Sequence, residues 1–139
     1  MTKIYSKKFK ITEKDIDINK HLRDSTYIDY ANKTKWSFFE DNGILEIFKE
    51  ENIGPIAFEI KIEFKKEIFL HEEIKVTQWL DYFSNDHRKW RLINNIYKEN
   101  GDISAIITTF GSYLHLIKRK VVSPPRVIRD IMEKKLNNI

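Results

Sequence analysis

Between Phe58 and Lys65 apolar and charged residues alternate without a break. Ile56, Phe58, Ile60, Ile62 and Phe64 fall on one side, and Glu59, Lys61, Glu63 and Lys65 on the other. Side chains alternate across an extended chain, so this stretch is predicted to be a strand with one apolar face. Three more β-rich runs follow, over residues 74–83, 89–97 and 103–117, and Glu99-Asn100-Gly101-Asp102 supplies an Asn-Gly hairpin turn between the last two. We expect successive antiparallel strands. Upstream, residues 4–11 read as a first strand, and residues 12–24 are polar and aperiodic, which predicts a loop. Tyr27, Ala31, Thr34 and Phe38 then recur at helical spacing until Asn42-Gly43, behind three N-cap residue types, Asp24, Ser25 and Thr26. That pattern predicts a helix of about four turns starting near Ser25, with a short helical turn over residues 44–51. Pro124-Pro125 closes the sheet, and Val127, Ile128, Ile131, Met132 and Leu136 form the apolar stripe of a C-terminal helix. An antiparallel sheet curling around one helix gives an α+β layer architecture.

Composition narrows the function classes. A chain of 139 residues, 41% apolar, fits a single domain over residues 1–139 with an ordinary core. With no cysteine, disulfide scaffolds, thiolate metal sites and cysteine nucleophiles are excluded, and the reducing cytoplasm is the expected compartment. No apolar run approaches the roughly 18–20 residues of a membrane span, and the segment up to Asp24 is too charged for a signal peptide. The net charge of +4 permits an anionic partner without selecting one. The densest basic run, Lys118-Arg119-Lys120, reads as a solvated strand end. Trp36, Trp79 and Trp90 fit either the core or an interface.

The catalytic inventory is short. His21, His71, His87 and His115 are scattered with no HExxH pair, so no metal site and no cofactor is expected. No serine sits in a G-x-S-x-G elbow, and there is neither a G-x-G-x-x-G nor a P-loop. What remains is Asp15-Ile16-Asp17-Ile18-Asn19-Lys20-His21, two carboxylates, a carboxamide and an imidazole immediately before the long helix. A helix start presents unpaired N–H groups and partial positive charge, which stabilise an oxyanion, and a nearby carboxylate can serve as base or nucleophile. The same residues also suit a structural role: Asp15 and Asp17 accepting loop amides, Asn19 making an Asx turn, and His21 exposed.

This loop, with Tyr27-Ile28-Asp29-Tyr30 and Lys35-Trp36 behind it, resembles the hot-dog-fold thioesterases, and its D-x-N-x-H is similar to the acyl-ACP thioesterase branch. Ile62-Glu63-Phe64-Lys65-Lys66-Glu67 resembles that branch's aromatic, two-basic, acidic segment. The likeness runs from about Phe9 to Met132. It implies a single hot-dog domain, a curved antiparallel sheet wrapped around one long central helix, that hydrolyses acyl-CoA or acyl-ACP. It also implies that Asp17 is the principal catalytic carboxylate, with Asn19 and His21 beside it and Glu67 as the second acid. The backbone N–H groups of Arg23 and Asp24 would be the oxyanion donors. The chain departs from most of the family at Lys20, where glycine is usual, and at Arg23-Asp24, where an asparagine pair is usual.

By alternation Glu67 shares the outward face of Glu63 and Lys65, so a catalytic Glu67 requires a broken pleat or a covering partner subunit. A homodimer or homotetramer is expected, because long alternating strands leave edges a monomer must protect. Two other readings stay open: a catalytically silent acyl or lipid binder, and an anion-binding module. Against nucleic acid, the cations and aromatics are not clustered into a stacking platform.

Overall fold

A computed structural model describes residues 4–137. Strand β1 (Tyr5–Lys10) leads through a 3-10 turn (Glu13–Asp15) to helix α1 (Asp24–Asp41), followed by α2 (Ile44–Glu51). Strands β2 (Ile53–Phe64), β3 (Glu73–Phe83), β4 (Trp90–Tyr97), β5 (Ile103–His115) and β6 (Lys120–Val122) come next, and α3 (Arg126–Leu136) closes the chain. The strands form one antiparallel sheet in the order β1-β3-β4-β5-β2, with β6 pairing β5 beyond the end of β4. β2 and β3 are therefore not neighbours, contrary to the expectation of successive pairing: β2 lies beyond β5, and β3 pairs with β1. β6 was not expected at all; its three residues are too few to show alternation.

Helix α1 runs for 18 residues, about a turn longer than its apolar spacing suggests, and buries Tyr27, Ala31, Thr34 and Phe38 as that spacing requires. Its N-cap position is Arg23, whose side chain makes no capping bond, and Asp24 is already helical. Thr26, expected as a cap, instead donates its hydroxyl back to the Arg23 carbonyl at 2.5 Å. One core cluster joins Phe38, Ile44, Phe48, Leu80, Trp90, Tyr113 and the α3 residues Ile128, Met132 and Leu136. The other joins Ile11, Leu22, Tyr27, Tyr30, Ile68, Ile74, Ile96 and Ile107 around the first half of α1. Among the tryptophans only Trp90 is core, while Trp36 is exposed. In β5, Gly111 leaves no room for a side chain: a Cβ there would stand 2.1 Å from the Ile56 carbonyl oxygen and 2.7 Å from the Trp90 ring.

The strand with the clearest alternation keeps least of its apolar face in this chain's core. Phe58, Ile60 and Phe64 are 48%, 43% and 55% exposed, on a strand whose other edge is unpaired among the described residues. The register against β5 shifts between Ala57 and Glu59, which makes Phe58 an extra residue at a bulge.

Candidate functional site

The loop ahead of α1 folds back on itself. Ile16 and Leu22 bridge, the Asp17 amide donates to the His21 carbonyl at 3.1 Å, and the Lys20 amide donates to the Asp17 carbonyl at 3.0 Å. Closing so tight a loop puts Lys20 at φ 70°, in the left-handed region that favours glycine. The Asx turn inside it belongs to Asp17 rather than Asn19: the Asn19 amide donates to Asp17 Oδ1 at 2.8 Å. Asp15, by contrast, is buried, its carbonyl accepts the Arg23 amide at 2.8 Å, and its Oδ2 accepts the Tyr30 hydroxyl.

Glu67 reaches this loop because β2 stops at Phe64. The amides of Lys65 and Lys66 both donate to the single carbonyl of Ser104, at 2.7 and 3.1 Å, so one residue more than the pleat allows is accommodated and the alternation ends. Ser104 Oγ then donates to the Lys66 carbonyl at 2.6 Å, and Lys98 Nζ donates to the Glu67 carbonyl. On the other side the Leu22 amide donates to the Ile68 carbonyl at 2.8 Å, with Ile68 itself fully buried. Two short segments, 21–22 and 67–68, are thereby stitched together, and His21 Nε2 comes to 3.9 Å from Glu67 Oε1. The His21 Nδ1 faces the Leu22 carbonyl at 3.0 Å, an arrangement that places the proton on Nδ1 and leaves Nε2 free to accept.

These residues open onto a pocket of about 340 Å³ lined by Leu22, Tyr27 and Phe64 and rimmed by His21, Asp24, Lys65, Lys66 and Glu67. Its aromatic walls, Tyr27 and Phe64, meet edge to face at 5.1 Å. Burial pushes the Tyr27 hydroxyl up from its ordinary value; a bond to Ser104 opposes this, and the charges of Glu67 and Glu72 add to it. Asp24 begins α1, and its amide is among the N–H groups no helix can pair internally. The pocket thus combines an apolar wall, a carboxylate next to an imidazole, and a helix start.

Of the residues picked out in the sequence, His21, Asp24 and Glu67 meet at this pocket, while Asp17 and Asn19 stand behind it in the loop without lining it. Arg23 must be corrected as an oxyanion donor: its amide is already given to the Asp15 carbonyl, which is how the loop is anchored to the helix start. Sequence reasoning missed Ile68, Ser104 and Lys98, which position Glu67 but carry no motif. Among the described residues there is no cluster of acidic and histidine side chains able to hold a metal ion, and no helix long and apolar enough to cross a membrane.

Residues 11–132 match the sequence profile of the thioesterase-like superfamily. No curated protein matches the sequence. Among solved structures, the fold is similar to a probable thioesterase from Escherichia coli, with TM-score 0.84 and 16% identity over 96% of this chain and 99% of that one. A Staphylococcus aureus protein solved in complex with CoA superposes with TM-score 0.86 at 17% identity, covering 100% of this chain and 90% of the other. A 1,4-dihydroxy-2-naphthoyl-CoA thioesterase from Synechocystis gives TM-score 0.81 at 12% identity, with 93% and 95% covered.

Proposed function

The chain belongs to the thioesterase-like superfamily and is a hot-dog-fold thioesterase, and from that premise we propose that it hydrolyses acyl-CoA or acyl-ACP at the pocket between the start of α1 and the end of β2. The observation that carries this reading is the meeting of His21 and Glu67, 3.9 Å apart, at the mouth of an apolar pocket beside the Asp24 amide. The acyl group lies against Leu22, Tyr27 and Phe64. A carboxylate then either attacks the thioester carbonyl or takes a proton from the water that does so. His21 Nε2, an acceptor, holds that water in place by taking a hydrogen bond from it. The carbonyl oxygen, now an oxyanion, faces the Asp24 amide and the positive end of α1, and collapse expels the carrier as a thiolate that takes up a proton; where the carboxylate itself has attacked, water then hydrolyses the mixed anhydride to release the acid. Within one chain Glu67, the second carboxylate, lines this pocket; the assignment of the principal carboxylate to Asp17, with Asn19 beside it, rests on the family likeness, since neither lines it. The work takes place in the cytoplasm, consistent with a chain free of cysteine. The test is a panel of acyl-CoA and acyl-ACP thioesters followed by release of free thiol; no release from any of them overturns the reading.

The acting form is a homodimer joined through β2. Pairing this edge with a second copy covers Phe58, Ile60 and Phe64, and the charges select a register. A two-fold axis at Ile62 sets Lys61 opposite the partner's Glu63 and Glu59 opposite the partner's Lys65. An axis one residue back, at Lys61, sets Lys61 against itself and Glu59 against Glu63, both destabilising.

One observation favours the silent-binder reading: the Arg23 amide, one of the two backbone donors expected for the oxyanion, is committed to the Asp15 carbonyl. Saturable binding of an acyl carrier with no thiol released distinguishes that case.

A further inference from the structure

We propose that the turn between β5 and β6 docks on an anionic lipid surface, a role independent of the catalytic reading. Leu116 and Ile117, 46% and 71% exposed, stand at its tip, and Lys118, Arg119 and Lys120 follow at once, all exposed. None of the three cations forms an ion pair with an acidic side chain among the described residues. The backbone beneath them is fixed. His115 Nδ1 accepts the amides of Ile117 and Lys118 at 3.3 and 3.1 Å, the Arg119 amide donates to the His115 carbonyl at 2.8 Å, and the Leu116 amide donates to the Asn52 carbonyl at 2.7 Å. A turn so held cannot fold its two aliphatic side chains inward, so they stay in water beside a cluster of positive charge.

Aliphatic groups next to cations match the interface of an anionic bilayer, where the alkyl groups enter the acyl boundary and the cations meet the headgroups. A second copy of this chain fits less well, because a two-fold contact at the tip sets its three cations against their own kind. Nucleic acid would call for aromatic stacking surfaces, and the tip carries none.

The experiment sediments the whole chain with phosphatidylcholine vesicles with and without phosphatidylglycerol. Binding is expected only with phosphatidylglycerol, weakening steeply between about 50 and about 300 mM salt. Joint substitution Leu116→Ser and Ile117→Ser, or Lys118→Gln, Arg119→Gln and Lys120→Gln, is expected to reduce binding at least about tenfold, while turnover of a soluble thioester is kept. The proposal is overturned if the wild-type chain ignores phosphatidylglycerol vesicles, or if both variants bind them as the wild type does. It is also overturned if the Leu116/Ile117 variant changes the assembly mass in light scattering, which would make the tip a contact between copies. Binding to a DNA duplex without binding to vesicles overturns it as well.

Discussion

The Tyr30 hydroxyl donates to Asp15 Oδ2 at 2.5 Å, a bond closed off from solvent between α1 and the turn that precedes the site loop. Burial, the bond itself and the carboxylate's charge all push the Tyr30 hydroxyl up from its ordinary value, so the phenol stays a donor. The two aspartates of the loop are therefore unequal. Asp15→Ala is expected to lower stability by about 1.5–3 kcal/mol, the usual range for a bond to a charged group, and Asp15→Asn by less. Urea midpoints measure both.

Asp17→Asn keeps size and the Asx turn but removes the anion. Turnover is expected to fall at least about a hundredfold with the unfolding midpoint unchanged. If Asp15→Asn harms turnover more than Asp17→Asn, the catalytic register of the loop is off by two residues.

Glu67 is held by its backbone, through Lys98 and the neighbouring Ile68 carbonyl, and its exposed side chain approaches His21 at 3.9 Å. Glu67→Gln should consequently leave the fold intact while lowering kcat by about tenfold or more. An unchanged kcat would take Glu67 out of the chemistry.

The proposed pairing of β2 with a second copy has a charge-swap signature. Lys61→Glu alone sets like charges against each other across the two-fold axis and is expected to weaken the dimer, seen as a lower mass by light scattering at micromolar concentration. Adding Glu63→Lys restores the complementary pairs and the dimer. Equal masses for the single and double variants would place the dimer contact elsewhere.

Acid sensitivity is expected at His87. The ring is buried, stacked on Phe83 at 4.2 Å, with Nε2 3.7 Å from Glu133 Oε2. Burial lowers its pKa from the ordinary 6.5 and Arg129 adds to this, outweighing the attraction of Glu133 and Asp86. The unfolded chain thus takes up the proton first, so stability is full above pH 6.5 and falls as pH drops below it toward the lowered folded value. His87→Asn, which tolerates the left-handed φ of 58° at this position, should flatten the fall in urea midpoint between about pH 7 and about pH 5. An equally steep fall in the variant would assign the sensitivity to other groups.

The helix and strands were legible where a face is buried: Tyr27, Ala31, Thr34 and Phe38 lie inside as their spacing requires. The apolar face of β2 was equally legible as a strand, yet alternation reports only that the face is apolar, and Phe64 at 55% exposure shows that such a face need not be buried within the chain. His21 was readable as a candidate from its place before a helix, and Asp24 as an oxyanion donor only by resemblance. Glu67 was readable as a candidate only by resemblance, since its position depends on two amides sharing the Ser104 carbonyl, a contact between residues distant in sequence that no local pattern encodes. The commitment of the Arg23 amide was illegible for the same reason.

The doubled bond at Ser104 makes chain length, more than residue identity, the quantity to be conserved between Phe64 and Glu67. Exchanging Lys65 or Lys66 for any residue but proline leaves both amides in place to hold the backbone ahead of Glu67. Removing either residue restores the regular pleat and swings the carboxylate to the opposite side of the sheet, away from His21. A one-residue insertion or deletion there is thus expected to part Glu67 from His21, where an exchange of either lysine for another residue with an amide N–H is not.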